Sequence, residues 1–265
     1  MKTTDDDLLY HVEDGIGIIT LNRPRARNAL TFDMYEQIRQ ICARAGTADD
    51  PDSISALVIT ASGEMAFAAG TDIGHFVEFD SLEHAVEYED RMEVILQQIE
   101  DCAVPVITTL FGAVTGGGGA IAAASHLRLG VADMKLGMPI ARTLGNCLSV
   151  RNLKRFVDLI GESRLMYLML TTEMIDAEAA QTAGFLHEVC ADKQAMMERA
   201  MELARRIGTL APQTVRSSRE GMRRLRARQE WPDDHDLLEW SYCSADFQEG
   251  VSAFLEKRKP RWQGR

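Results

Sequence analysis

Apolar and polar residues alternate on both sides of a turn signal near the N-terminus. Residues 8–21 read Leu-Leu-Tyr-His-Val-Glu-Asp-Gly-Ile-Gly-Ile-Ile-Thr-Leu, and Asp-Gly between alternating segments favours a β-hairpin. After a polar loop, apolar residues recur at helical spacing over 34–45, and Thr31 precedes them as a candidate N-cap. The pattern predicts two antiparallel strands followed by a helix.

The middle of the chain repeats strand, loop and helix. Apolar runs at 54–60, 104–110 and 126–131 predict buried strands, and residues 81–102 have the pattern of a long amphipathic helix. From about residue 149 the pattern becomes helical, with predicted helices at 153–160, 164–170, 177–183, 193–207, 212–229, 234–241 and 245–257. This order predicts an α/β core with an α-helical appendage. We place the core at 1–200 and the helical region at 201–265.

Two glycine-bearing loops each follow a predicted buried strand and precede a predicted helix. They are Ala68-Ala-Gly-Thr-Asp72 and the block Gly116–Gly119. Glycine allows sharp turns and close approach, and the first N–H groups of a helix are unpaired and attract an anion or a polarised carbonyl oxygen. If the two loops converge, two N–H groups can hold one oxygen, which is the geometry of an oxyanion hole.

Two other interpretations of the glycine block remain. It can be a tight turn between packed elements. It is also a loose match to a dinucleotide-binding fingerprint, Gly117-x-Gly119-x-x-Ala122 with Asp133 downstream. The helical sequence that follows supplies no further parallel strands for a nucleotide-binding sheet, which weakens this second interpretation.

Composition narrows the class of protein. The 265 residues are 46% hydrophobic and 26% charged, as in ordinary soluble domains. A formal net charge of −11 argues against nucleic acid as a partner, and an RNA-binding role would need a basic stripe on the surface. Five scattered cysteines and six histidines show no ligand spacing, so we expect no disulfide, metal or separate cofactor. No secretory signal or membrane span is indicated, and we expect a cytoplasmic protein with no membrane partner.

Short motifs in a fixed order carry a family resemblance. They are Asn22-Arg-Pro with Asn28-Ala-Leu, Ala66-Phe-Ala-Ala-Gly-Thr-Asp72, Val104-Pro-Val-Ile, the Gly116–Gly119 block, Leu136-Gly-Met-Pro139, Gly184-Phe-Leu-His-Glu-Val and Ala253-Phe-Leu-Glu-Lys-Arg-Lys-Pro260. Together they resemble the enoyl-CoA hydratase/isomerase (crotonase) superfamily over nearly the whole chain. The resemblance implies a spiral of ββα units, a C-terminal helical trimerisation region, a homotrimer or dimer of trimers, and an acyl-CoA thioester of fatty acid metabolism as substrate.

The resemblance also implies residue roles. The backbone N–H groups of Thr71 and Gly117 would polarise the thioester carbonyl and stabilise the enolate formed in a lyase or isomerase reaction. Arg25 and Ala26 would lie at the CoA entrance, and Phe254 and Lys257 near the nucleotide end, from the same or a neighbouring subunit. The full set of expected CoA-binding or substrate-binding residues is Arg25, Ala26, Ala68, Gly70, Asp72, Phe254 and Lys257.

The chain departs from the family pattern at both catalytic positions. The resemblance places one glutamate at Ala120 and the other at Ile140. A positioned general acid or base contributes typically ~10²–10⁴ in rate, so ordinary hydration requires another group. The chain can therefore also be a noncatalytic acyl-CoA-binding protein.

The loop after Ile140 offers a candidate replacement. Family members with other chemistries carry a carboxylate in this loop, at about the place of Cys147. We hypothesise that Cys147, with Arg142 and Asn146, lines the acyl pocket and acts as a thiolate if a cation lowers its pKa. A CoA-thioester hydrolase that uses Cys147 would follow. The alternative is that Cys147 is a small buried hydrophobe.

Overall fold

The computed structural model describes residues 7–77, 79, 81–227 and 232–264. Its strands are β1 (Leu8–Glu13), β2 (Ile16–Leu21), β3 (Ala56–Ala61), β4 (Ala66–Ala68), β5 (Val106–Leu110), β6 (Ala113–Thr115), β7 (Leu127–Val131), β8 (Lys135–Gly137), β9 (Ile175–Asp176) and β10 (Glu188–Cys190). Its α-helices are α1 (Phe32–Arg44), α2 (Leu82–Asp101), α3 (Gly117–Ala124), α4 (Ile140–Thr143), α5 (Val150–Ile160), α6 (Glu162–Thr171), α7 (Ala177–Thr182), α8 (Lys193–Gly208), α9 (Pro212–Ala227), α10 (His235–Tyr242) and α11 (Ala245–Leu255). The predicted α/β fold class is confirmed.

The larger sheet has the strand order β1-β2-β3-β5-β7-β10. Strands β1 and β2 form the predicted antiparallel hairpin, and Asp14 and Gly15 at its turn have φ of 52° and 71°, as a two-residue hairpin turn requires. The remaining neighbours pair in parallel. Strands β2, β3 and β5 are almost entirely buried, which explains their continuous apolar runs.

The smaller sheet positions the two glycine-bearing loops. Its order is β4-β6-β8-β9, and β4 pairs in parallel with β6. The carboxyl ends of two parallel neighbours meet at one sheet edge. Strand β4 leads into the loop that holds Thr71, and β6 leads into Gly116, so both loops leave the sheet side by side.

The predicted helices are found with small shifts at their ends. Thr31 caps α1 by accepting a hydrogen bond from the Met34 amide at 3.2 Å, as expected. The helix predicted over 212–229 is described only to Ala227. The prediction that the chain is helical after residue 149 was wrong, because β9 and β10 lie in that part and β10 pairs in parallel with β7.

Helix α8 lies across the boundary that we placed at residue 200. Its buried side chains, Met196, Ala200, Met201 and Ala204, all belong to the main core, and it packs on five strands of the larger sheet, β2, β3, β5, β7 and β10. The main core therefore includes side chains on both sides of residue 200, and the division into 1–200 and 201–265 stays a prediction.

The last two helices cover the short 3-10 helix Ile73–Phe76 and the first half of α2. A group of rings fills this contact, with neighbouring centroids about 5–6 Å apart, a spacing typical of packed aromatic pairs. We call this group the aromatic cluster; it comprises Phe76, Phe79, Tyr88, Tyr242 and Phe247. It joins residues that are distant in sequence beside the Thr71 loop.

Candidate active site

The Thr71 amide points away from the strand-like segment that anchors its loop. Leu30 donates its amide to Gly70 O at 2.9 Å and accepts from the Asp72 amide at 2.8 Å. In this parallel pattern the residue between the two partners directs its own N–H to the opposite side. Within the described ranges the Thr71 N–H has no hydrogen-bond acceptor, and Thr71 is partly exposed.

Gly117 supplies a second unpaired amide next to Thr71. It is the first residue of α3, so its N–H has no partner inside the helix. A Cβ at position 117 would lie 3.1 Å from Thr71 Oγ1 and 1.9 Å from the Tyr35 hydroxyl oxygen. A Cβ at Gly118 would lie 2.5 Å from the Ala68 carbonyl oxygen. Glycine is therefore required here by close packing, and the structure brings the two predicted loops into contact.

Two tyrosine hydroxyls hold the Thr71 side chain. Thr71 Oγ1 lies 3.0 Å from the Tyr35 hydroxyl and 3.2 Å from the Tyr88 hydroxyl. Burial raises the pKa of both tyrosines well above the usual value, so both stay protonated at neutral pH. No local pattern connects Tyr35 and Tyr88 with Thr71, because the two tyrosines lie on different helices, α1 and α2.

Asp72 ties this loop to the segment that follows β2. Its carboxylate accepts from the Gly74 amide at 3.1 Å and from Arg23 Nη1 at 2.8 Å. Arg23 also donates to the Ala29 carbonyl oxygen at 2.6 Å. Asp72 thus caps the 3-10 helix Ile73–Phe76, while the predicted contact of Asp72 with substrate stays a prediction.

The other predicted CoA-binding residues lie in three separate parts of the chain. Arg25 and Ala26 are exposed in the short 3-10 helix Pro24–Ala26, and Phe254 and Lys257 are exposed at the end of α11. Ala68 and Gly70 are buried at the end of β4 and in the loop beyond it. No hydrogen bond or ring contact among the described residues links the first pair to the second.

The two positions of the missing glutamates lie in helices on either side of the loops. Ala120 is in the first turn of α3, and Ile140 begins α4. Their side chains are buried, with exposed fractions of 7% and 8%. Neither can donate or accept a proton, so any acid or base must come from another element.

The loop after α4 does not activate Cys147. The thiol packs against the aromatic cluster and lies 3.6 Å from the Leu237 carbonyl oxygen. Burial, followed by the nearby Glu89 carboxylate, raises the pKa of Cys147 to about 12. The hypothesis that Arg142 lowers this pKa was wrong: Arg142 is exposed on α4, and the charges near the thiol are negative. Cys147 is neutral at pH 7.

Asn146 faces a different partner. Its Nδ2 donates to the Tyr242 hydroxyl at 3.4 Å, and its Oδ1 is buried without a hydrogen-bond partner in the described part of the chain. Asn146 also borders a surface cleft of about 340 Å³. The residues that line this cleft are Ala141, Gly145, Asn146, Trp240, Ser244, Asp246, Trp262 and Gly264.

A buried carboxyl group that the sequence analysis missed lies beside this loop. Glu89 occupies the apolar face of α2, four residues after Ala85 and three before Met92, and is 7% exposed. The Tyr242 hydroxyl donates to Glu89 Oε1 at 2.7 Å, and Oε2 has no partner among the described groups. Burial raises the pKa of Glu89 to about 7, and Asp234 adds to this, whereas Tyr242 and Ser149 oppose it. A glutamate in the apolar stripe of a helix is the signal that could have identified it.

Among the described residues, none of the helices is both long and apolar enough to cross a bilayer. No cluster of three or more histidine, cysteine or acidic side chains suited to a metal ion occurs among the same residues.

Comparison with known proteins identifies the family. Residues 11–265 match the model of the enoyl-CoA hydratase/isomerase family. A crotonyl-CoA hydratase of Syntrophomonas wolfei is 29% identical over 258 residues, covering 96% of each chain. An enoyl-CoA hydratase/carnitine racemase from Magnetospirillum magneticum has a TM-score of 0.77 at 26% identity, over 99% of this chain and 97% of the other. Methylmalonyl-CoA decarboxylase shares the fold, with a TM-score of 0.86 at 24% identity, and the match covers 97% of this chain and 98% of the decarboxylase. The protein is a member of the enoyl-CoA hydratase/isomerase family.

Proposed function

We propose that the protein is an enzyme that converts an acyl-CoA thioester through an enolate held by the N–H groups of Thr71 and Gly117. The observation that carries this proposal is the contact between two loops that each present an amide without a described acceptor. Family membership and the CoA complex of a structural neighbour support acyl-CoA as the ligand. The substrate carbonyl oxygen would sit between the two amides.

The physical reason is charge stabilisation by fixed donors. When a proton leaves the carbon next to the thioester, negative charge moves to the carbonyl oxygen. Donors that already point at this oxygen need no reorganisation, and each contributes roughly 10²–10³ in rate. The hydroxyls of Tyr35 and Tyr88 fix the Thr71 loop, and the absence of a Cβ at Gly117 leaves room for Tyr35.

A noncatalytic acyl-CoA-binding protein is the second candidate. The observation that favours it is the pair of apolar side chains at Ala120 and Ile140. A thioester hydrolase that uses Cys147 is disfavoured, because the raised pKa of that thiol leaves almost no thiolate at neutral pH. Binding without conversion of any thioester would favour the noncatalytic candidate.

The test compares Gly117→Ala with Gly221→Ala. A Cβ at Gly117 meets the Tyr35 hydroxyl, whereas a Cβ at Gly221 in α9 meets no atom within 4 Å. Binding and turnover are measured with saturated, 2-enoyl and 3-enoyl CoA thioesters of four to twelve carbons, by calorimetry and mass spectrometry. We expect turnover to fall by about 10²-fold or more in Gly117→Ala and to stay unchanged in Gly221→Ala. Equal turnover in both variants would contradict the proposal.

A double variant separates crowding from misfolding. Tyr35→Phe removes the atom that Gly117→Ala would displace, and leaves the ring carbon Cζ at 3.2 Å from the new Cβ. If Gly117→Ala alone does not fold, the double variant should fold and regain part of the turnover. A folded double variant that neither binds nor converts any thioester would contradict the account of the site.

The family also suggests how the subunits assemble. We propose a homotrimer or dimer of trimers that acts in the cytoplasm. Helix α9 exposes Met222 and Leu225 in the single chain, with exposed fractions of 57% and 62%, and such apolar side chains are suited to a subunit contact. Sedimentation equilibrium measures the mass directly, and a monomer at all concentrations would contradict this assembly.

A further inference from the structure

We infer that Glu89 is the proton-transferring residue of this site, and that it removes a proton from the bound acyl chain and returns it. The inference rests on the proposed function, because it needs the enolate that Thr71 and Gly117 would stabilise. A single carboxylate from α2 would then replace the two glutamates missing at positions 120 and 140.

Glu89 lies near Tyr35 and Tyr88, the two tyrosines that contact Thr71. Tyr88 precedes it on α2, and the Tyr88 hydroxyl lies 3.2 Å from Thr71 Oγ1. The Glu89 charge raises the pKa of both Tyr88 and Tyr35. The carboxylate is therefore within electrostatic reach of the hydroxyls that flank both amides.

Glu89 also lies near the loop that follows Ile140. The same carboxylate raises the pKa of Cys147, and Ser149 lies close enough to lower the pKa of Glu89. Glu89 therefore lies near Cys147 and Ser149, in the loop that follows the second missing glutamate, and next in sequence to Tyr88, whose hydroxyl contacts Thr71. Its carboxyl group comes from a different element than the resemblance predicts.

The bonding state of Glu89 is suited to proton transfer. Tyr242 donates to Oε1 at 2.7 Å, which orients the carboxyl group, while Oε2 has no hydrogen-bond partner among the described residues. The hydroxyl and the backbone of Ser149 lie near enough to lower the pKa of Glu89, although Ser149 Oγ, like Oε2, has no hydrogen-bond partner among the described residues. One carboxyl oxygen is therefore held by Tyr242, and the other is buried without a described partner.

No cation among the described residues compensates the charge of Glu89. Those that face it are Tyr35 from α1, Tyr88 from α2, Cys147 and Ser149 from the loop, and Asp234 and Tyr242 at α10. All of them are neutral hydroxyl or thiol groups except Asp234, which is an acid. With a pKa of about 7, Glu89 is present in both protonation states near neutral pH, as a group that takes and returns a proton requires.

The proton-transfer step balances without a further reactant. Ionised Glu89 takes a proton from the carbon next to the thioester, and the electron pair of that C–H bond moves into the enolate, whose oxygen the two amides hold. Protonated Glu89 then returns the proton to the same carbon, or to the γ carbon when the chain carries a 3,4 double bond. The second outcome moves the double bond to the 2,3 position. The reaction class is therefore isomerisation of an unsaturated acyl-CoA.

The test uses Glu89→Gln with Glu87→Gln as its matched control, because Glu87 is exposed on the same helix. The substrates are 3-hexenoyl-CoA, for double-bond migration, and hexanoyl-CoA in D₂O, for exchange at the carbon next to the thioester. We expect Glu89→Gln to lose about 10²–10⁴-fold in both rates, with the Kd for hexanoyl-CoA within about threefold of the wild type. Glu87→Gln should keep both rates.

Tyr242→Phe tests the positioning of the carboxyl group. The hydrogen bond from Tyr242 lowers the pKa of Glu89, so its loss should move the acidic limb of the kcat/KM profile to higher pH. In Glu89→Gln the limb should disappear. A merely structural role for Glu89 would leave the profile in place.

The outcomes separate this inference from the proposed function. If Glu89→Gln keeps both rates within threefold while Gly117→Ala loses them, the inference is overturned and the proposed function stands. If the wild-type protein binds hexanoyl-CoA but neither exchanges nor isomerises any thioester, both are overturned.

Discussion

Glu89 and Glu93 lie one turn apart on α2 and are equally buried, but among the described residues only Glu93 is paired with a cation. The Glu93 carboxylate accepts hydrogen bonds from both terminal nitrogens of Arg155, at 2.7 and 2.8 Å. Glu100 accepts a hydrogen bond from Nε of the same guanidinium. Glu89 has a tyrosine hydroxyl on one oxygen and no described partner on the other. Removing a charge from water is costly, and only a well-bonded opposite charge offsets that cost. The comparison shows that the ion pair with Arg155 offsets the cost of burying Glu93. Glu89 has no such pair among the described residues, so it can gain or lose a proton near neutral pH.

The largest effect on stability should come from breaking the Arg155 network. Arg155→Leu leaves Glu93 and Glu100 buried without their cation, and we expect the free energy of unfolding to fall by about 3–5 kcal/mol. Urea denaturation measures this. Arg199→Leu is the control, because the Arg199–Glu188 pair is more exposed, so solvent screening leaves it little effect on the free energy of unfolding. Equal losses in the two variants would remove the distinction between the buried and the surface pairs.

A pH-dependent effect should distinguish Glu89 from other carboxylates. Its pKa is about 7 in the folded protein, against 4.5 without the protein environment. Between these values the folded state keeps a proton that the unfolded state has lost, so the free energy of unfolding falls as pH rises through this window. The change is on the order of 3 kcal/mol.

Glu89→Gln should abolish this contribution. The difference in unfolding free energy between the wild type and Glu89→Gln is measured from about pH 4.5 to about pH 8, with Glu87→Gln as the reference. We expect the wild type to lose stability relative to Glu89→Gln as pH rises. A difference that does not change with pH would show that the protein environment does not raise the pKa of Glu89.

The smallest effect should come from the cysteine beside Glu89. Cys147→Ala removes a neutral thiol, so we expect turnover within about twofold of the wild type and a loss of roughly 1 kcal/mol in unfolding free energy from the lost packing. Steady-state kinetics with 3-hexenoyl-CoA measures the turnover, and urea denaturation measures the free energy of unfolding. A loss of turnover above about 10²-fold would restore the Cys147 nucleophile.

The sequence was sufficient to predict the structural features that depend only on residues close together along the chain. The hairpin at Asp14-Gly15, the cap at Thr31 and the two glycine loops all follow from local residue types. Strands β4 and β6 have three residues each, too few to show a periodicity, yet their parallel pairing brings the two loops together. Local pattern therefore identified both loops but not the sheet that joins them.

The environment of the acid–base candidate could not be predicted in the same way. Glu89 meets Tyr242, which is 153 residues away in sequence, and only the packing of α10 on α2 makes that contact. Cys147 likewise has Arg142 nearby in sequence, but acidic groups nearby in space. A pKa depends on spatial neighbours, so the sequence suggested the wrong direction for the thiol and gave no sign of the carboxyl group.

The polarisation of the substrate carbonyl tests the central claim most directly. The measurement is the ¹³C chemical shift of the thioester carbonyl in hexanoyl-CoA labelled at that carbon, bound to the wild type and to Gly117→Ala. Two amides on one oxygen should move the resonance downfield from its position in free hexanoyl-CoA, and Gly117→Ala should reverse most of that change. A bound resonance at the position of the free thioester in the wild type would contradict the account.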